Sequence, residues 1–528
     1  MKRAILGFGI WRMRRGAMQI GLLGAMVLGG MVGASCGDDD HSSTRSCTVG
    51  DANACGDGQV CVVRDAEQGG RCEGVCDTDA VDACDSSQIC DRIVGGGAAC
   101  FKPVILHGKV FDAATNEGIA GAHVAAADEA SLVVTGVAVT DSDGNYELIV
   151  PVTRDASGMP QESVFTLRVS AQTYLPYPYG IRPAIPIDVR SSAEGDDAFT
   201  FQSVATDVAL IALPDGGTTL GSVSGTVETS SDQPSPTGTL IVLEGGDQIP
   251  APFAFAGNDG AFTVFNVPAG SYAVKGYKAF LQFDATSVDV AEQQDVQGVQ
   301  LSSSDQETGS ISGQVSIVNA PGNSMTSVVL VPESTFMDTF VRGIVPPGLR
   351  APDSGTDPNV TGSFTIEGVP DGRYVVLAAF ENDGLVRDPD PAIAGTQIVH
   401  VDVPEGGGGR DVTLSTGFKV TEALPVVSPG ADGPEAVDAN KTLTFVWGDD
   451  SSEDYYSIVV YDAFGNLVWS KDDVPKVNGH ETVQVTYGGP ALSAGMYYQF
   501  RATSHRNSGP ISMTEDLLGV FYVPGAVQ

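Results

Sequence analysis

Basic side chains are scarce in this chain: 28 Lys and Arg stand against 66 Asp and Glu, a formal charge of −38. Five of the 28 (Lys2, Arg3, Arg12, Arg14, Arg15) and none of the acidic residues precede Cys36, so the remainder carries −43. Such a surface repels phosphate backbones and anionic headgroups, which excludes a nucleic-acid partner. Catalytic signatures are equally thin. The six histidines (His41, His107, His123, His400, His480, His505) are scattered, and none opens an HExxH or HxxE pattern, so a zinc peptidase centre is unsupported. The nearest approach to GxSxG, Gly221 to Gly225, has Val223 at its centre. No serine stands three positions before a lysine, and no phosphate-binding glycine loop occurs. Only a pair of carboxylates, which needs no local motif, would escape such a search. Helical periods are absent after residue 36, and no later segment is long and apolar enough to span a membrane as a helix. These absences predict a non-enzyme with no catalytic residue, metal or cofactor.

What fills the chain is short alternating runs between Gly, Pro, Asp and Asn turns, with 65 glycines in 528 residues. The reading is all-β, extracytoplasmic and modular, with length for three to five domains. One stretch is written twice: GAFTVFNVPAGSYAV (Gly260 to Val274) and GSFTIEGVPDGRYVV (Gly362 to Val376), with a looser copy from Gly144 that breaks after Pro151. Phe262/Val264 and Phe364/Ile366 have the period of a half-buried strand, and Tyr272/Val274 and Tyr374/Val376 resume it. Between them Pro268 and Pro370 suit a type I turn, and Gly270 and Gly372 a left-handed residue. The pattern predicts a β-hairpin with an aromatic on each arm.

Residues 1–35 read as an export signal: a basic segment, an apolar Gly-rich run from Ala17 to Val32, then Gly33-Ala34-Ser35 before Cys36. The arrangement resembles a bacterial lipoprotein signal, which implies that Cys36 is lipidated and becomes the mature N-terminus. Gly33 departs from that pattern, since leucine is usual three places before the cysteine. Nine cysteines minus Cys36 leave eight, an even number suited to an oxidising compartment. Residues 36–46 are polar and read as a tether.

The eight fall into two repeats, residues 47–72 (Cys47, Cys55, Cys61, Cys72) and 73–102 (Cys76, Cys84, Cys90, Cys100), spaced C-x7-C-x5-C-x10-C and C-x7-C-x5-C-x9-C. Units this small cannot bury a core and need disulfides. Four cysteines allow three pairings, and spacing does not choose among them. The modules resemble short four-cysteine units of bacterial surface lipoproteins, which implies spacers or ligand-recognition units.

From residue 103 the chain repeats a larger frame. HGKV, then GIAGAHV, then TDSDGNYEL resembles the carboxypeptidase regulatory-like domain, a transthyretin-like β-sandwich, over 103–214. Residues 219–303 and 308–417 match the same frame, with Gly108, Gly225 and Gly313 in one column and Val110, Val227 and Val315 two places on. The resemblance covers about three fifths of the chain and implies a fold but no catalytic residue. Asp141-Ser142-Asp143-Gly144-Asn145 fails as an EF-hand loop, because Tyr146 and Val152 occupy the sixth and twelfth positions; it reads as a turn. Two sandwiches carry long insertions. That of the first, TYLPYPYGIRPAIP, sets Tyr174, Tyr177 and Tyr179 among prolines, where they either contact a ligand, such as a sugar or a peptide, or pack back on their own sandwich. Residues 420–528, with Trp447 expected in the core, resemble a fibronectin type III or Ig-like sandwich in the L-x-x-G-x-x-Y run from Leu492. The whole reads as tandem β-sandwiches behind disulfide-stapled modules: an exported, lipid-anchored cell-envelope protein of the outer membrane or cell surface. Its sandwiches would act as spacers and binding platforms, with an extracellular polysaccharide or an envelope protein as partner. An accessory subunit of an envelope enzyme or transporter is the further alternative.

Overall fold

A computed structural model describes residues 46–525 except 50–53, 65–68, 79–82, 86, 130, 162, 247, 249, 353–355, 379–382, 406–409, 478–481 and 508. The signal, Cys36 and nearly all of the tether fall outside the described residues.

Each of the three related sandwiches is built on an opening strand: Val104–Asp112, Gly221–Glu228 and Gly309–Val318. It pairs antiparallel with the first arm of the repeated motif and parallel with the closing strands of the same sandwich. The facing sheet centres on His123–Ala127, Leu240–Glu244 and Val328–Pro332. Each of these pairs antiparallel with Val164–Ser170, Gly270–Tyr277 or Gly372–Ala378. Alternation in Asn145–Val150 and Ser363–Val369 sends every second side chain into the core between the sheets.

The register joins two sequence columns. Gly108, Gly225 and Gly313 lie directly opposite Tyr146, Phe262 and Phe364. A Cβ at Gly313 would come within 2.8 Å of the Phe364 ring, and one at Gly225 would overlap the Val299 carbonyl oxygen. The glycine leaves the space into which the cross-strand aromatic lies.

The repeated motif is not a hairpin. Ala261–Val267 pairs with Gly221–Glu228 in one sheet, whereas Gly270–Tyr277 pairs with Leu240–Glu244 and Thr286–Val290 in the other. Ser363–Val369 and Gly372–Ala378 divide in the same way. The motif is an arch that crosses between sheets. Its left-handed residue is Asn266 (φ 60°) or Gly368 (φ 69°), two places before the proline, rather than Gly270 or Gly372. The second-arm tyrosine pins the arch: Tyr272 and Tyr374 donate to the Pro268 and Pro370 carbonyls at 2.8 and 2.7 Å.

Phe418–Glu422 pairs parallel with Gly309–Val318 and antiparallel with Leu385–Arg387, so it completes the third sandwich. The boundary expected at 417–420 therefore moves to beyond Glu422. The last sandwich sets Val426–Ser428, Thr444–Gly448 and Thr482–Thr486 against a larger sheet centred on Tyr455–Asp462 and Tyr497–Arg506. Trp447 is fully buried in its core, and Trp469 is half-buried against Phe445.

Candidate functional site

All eight module cysteines are paired, first with third and second with fourth: Cys47–Cys61, Cys55–Cys72, Cys76–Cys90 and Cys84–Cys100. The modules are not free spacers. Val62, Ile93, Ala99 and Phe101 share one small core across both. Ile89–Ile93 accepts Thr153–Arg154 of the first sandwich as a parallel strand. Beneath that pairing Arg154 and Asp91, both fully buried, meet at 2.8 Å. Arg154 also donates to the Gly158 and Lys102 carbonyls, and Asp91 accepts the Val152 amide. The motif's break after Pro151 is thus the place where the first arch receives the second module.

The other arches do the same to the domain before them. Asn266 accepts from the Thr173 amide at 2.6 Å and donates to the Ala171 and Tyr174 carbonyls at 3.1 and 2.8 Å. The Gly368 carbonyl accepts the Phe280 amide at 2.8 Å, and the Phe280 ring lies where a Gly368 side chain would be. Thr173 (φ 72°) and Phe280 (φ 65°) are equivalent, each three residues past the end of the strand Val164–Ser170 or Gly270–Tyr277.

The three insertion tyrosines diverge in environment. Tyr177 is buried, its main chain paired with Val169 and its hydroxyl accepting the Ile185 amide at 3.0 Å; burial raises its pKa, with Arg182 opposing. Tyr174 is half-buried, and burial followed by Asp112 raises its pKa. Tyr179 stacks on Phe253 with ring centroids 6.0 Å apart, and burial raises its pKa. These residues pack inward, and they also form one wall of a groove between the first and second sandwiches. The groove holds two adjoining hollows of about 60 and 90 Å³. Tyr177, Arg168 and Phe255 line the smaller, Tyr174, Tyr179 and Phe265 the larger, and Ser170, Pro176 and Phe253 both.

The insertions also meet each other. Ile181 and Ile211 of the first sandwich, Phe340 of the third, and Ala463 and Val520 of the fourth form one buried cluster. Arg342, itself buried, donates to the Gly180 carbonyl at 2.5 Å, and Arg182 lies 4.3 Å above the Tyr497 ring. Consecutive sandwiches touch throughout, so the four close a circuit of contacts. Beside the closure, buried Glu515 has its pKa pushed up to about 7 by burial, with Asp383 and Asp516 adding to the rise and Arg342 opposing it.

One pair escaped motif reading because its members are 48 positions apart: Ser457 Oγ lies 2.8 Å from His505 Nε2, with Tyr455 stacked on the imidazole. Burial lowers the His505 pKa, and Asp472 opposes the shift. The pair spans neighbouring strands on one sheet face and ties them together. Asp141 accepts the Asp143 and Asn145 amides and so closes its own turn.

No family model matches the chain, and no curated protein does. Among solved structures it is similar to the TIE protein of Bacillus anthracis (10% identity, 78% of this chain and 68% of that one, TM-score 0.13). It is also similar to a streptococcal ancillary pilin (11%, 60% and 99%, TM-score 0.15). Two B repeat units of the collagen-binding protein of Staphylococcus aureus give 11%, 80% and 99%, with TM-score 0.17.

Proposed function

We propose that this chain is a non-catalytic scaffold of the bacterial cell envelope, anchored by a lipid on Cys36. Its first three sandwiches are read as carboxypeptidase regulatory-like and its fourth as fibronectin-like. The observation that carries the scaffold reading is the use made of the repeated motif. Its distinctive polar and aromatic residues go into arch pinning and into docking on the preceding domain, at Asn266, Gly368 and the Arg154–Asp91 pair. Paired cysteines in both modules suit an oxidising compartment. Metabolic labelling with a tagged fatty acid tests the anchor: the parent chain takes up label and Cys36→Ala does not. Label on Cys36→Ala, or none on the parent, would overturn it. The aromatic groove favours a second role for the same scaffold, the display of a binding surface.

A further inference from the structure

We propose that the groove between the first and second sandwiches binds an extended peptide, an acidic side chain entering the smaller hollow and an apolar one the larger. The inference deepens the scaffold reading and rests on it only for placing the groove outside the cell.

The charge distribution argues for the acidic residue. In a chain with more than twice as many acidic as basic residues, the smaller hollow is lined by Arg168, and no formally charged side chain among the described residues lines the larger. Arg168 reaches across the outer face of Val164–Ser170, its guanidinium 4.1 Å over the Phe255 ring. Its Nη2 donates to the Ser131 carbonyl at 3.1 Å, while Nε is buried with no partner among the described residues. Asp128 opposes the effect of burial on this group, which lowers its pKa to about 10 and leaves it a cation at neutral pH. Burial lowers the pKa of His123, which lines the same hollow. A carboxylate arriving there finds a positive charge already fixed in place.

The ring geometry argues for a peptide over a sugar. Tyr179 and Phe253 turn their faces to each other, Arg168 covers Phe255, and His123 meets Phe265 edge-on at 4.8 Å. These contacts engage one face each of Tyr179, Phe253 and Phe255. What remains are two side-chain-sized hollows separated by Pro176 and Phe253. Side chains i and i+2 of an extended segment project to one face and suit such a pair.

The test pans random linear peptides against the full-length protein in detergent and measures the affinity of the synthetic consensus. The expected consensus carries Asp or Glu two positions from an apolar residue. Arg168→Met should weaken it at least tenfold, and replacing the peptide's carboxylate by its amide should cost the parent the same while costing Arg168→Met little more. Ser170→Tyr, at the position that lines both hollows, should abolish binding with the melting temperature unchanged. An absent consensus, unchanged affinity in both variants, or binding of an oligosaccharide array that Ser170→Tyr removes would each overturn the proposal. None of these readouts depends on Cys36, so failure here and failure of the anchor are separable.

Discussion

At the scale of single residues, the fold rests on pairs that face each other across strands. Gly313 makes room for Phe364 in the third sandwich. Gly313→Ala should cost about 1–3 kcal/mol, as overpacking of a closed core does, and a urea unfolding curve would read it as a shifted midpoint at unchanged slope. Both columns stand plainly in the sequence; that they meet does not, because register is fixed by strands far apart in the chain. The Arg154–Asp91 pair was hidden for the same reason, its members lying 63 positions apart in a module and a sandwich. Asp91→Ala would leave a buried guanidinium uncompensated and cost about 3–5 kcal/mol. Joining Asp91→Leu to Arg154→Met should recover most of that loss, as a double-mutant cycle would record.

At the scale of elements, the lesson concerns the arch. Period-two alternation, a proline and a glycine look alike whether two strands pair with each other or part to opposite sheets. What separates the cases is the partner each strand finds, Gly221–Glu228 for one arm and Leu240–Glu244 for the other. A local clue was present in the Asn266/Gly368 column, since these residue types tolerate the left-handed conformation best. Asn266→Gly keeps that conformation and removes three side-chain hydrogen bonds. It should leave the second sandwich folded while hydrogen exchange quickens at the Thr173 amide, which would lose its acceptor. Equal protection in parent and variant would mean that Asn266 does not hold the joint. The tyrosine insertion was legible as unusual. Its course into a groove wall and a three-sandwich cluster was not, because both neighbours come from other domains.

At the scale of the molecule, the sequence suggested a row of spacers, and the sandwiches instead close on themselves through their insertions. Phe340→Ala should open a cavity at the closure costing about 3–5 kcal/mol locally, with faster exchange around Ile181 and Val520 and little change in the second sandwich. Acid should strengthen the same region. Glu515 carries a folded pKa of about 7 against an ordinary 4.5, so folding favours its protonated form. The stability it permits is complete below 4.5 and is lost as pH rises through 7. Glu515→Gln should flatten that part of the melting-temperature profile; a profile as steep as the parent's would assign the effect to other acids whose pKa burial raises, such as Asp383 or Asp388.

The closure also decides where a pull would be felt. Gly525 lies against the Ala113 carbonyl, and Arg182 covers the Tyr497 ring, so the C-terminal sandwich is tied directly to the first one. Tension applied near residue 525 and resisted at the cysteine modules therefore runs through those few contacts and bypasses the second and third sandwiches. They would bear load only after the closure had given way, and the chain would then lengthen by the span of two folded sandwiches before any strand had to unravel.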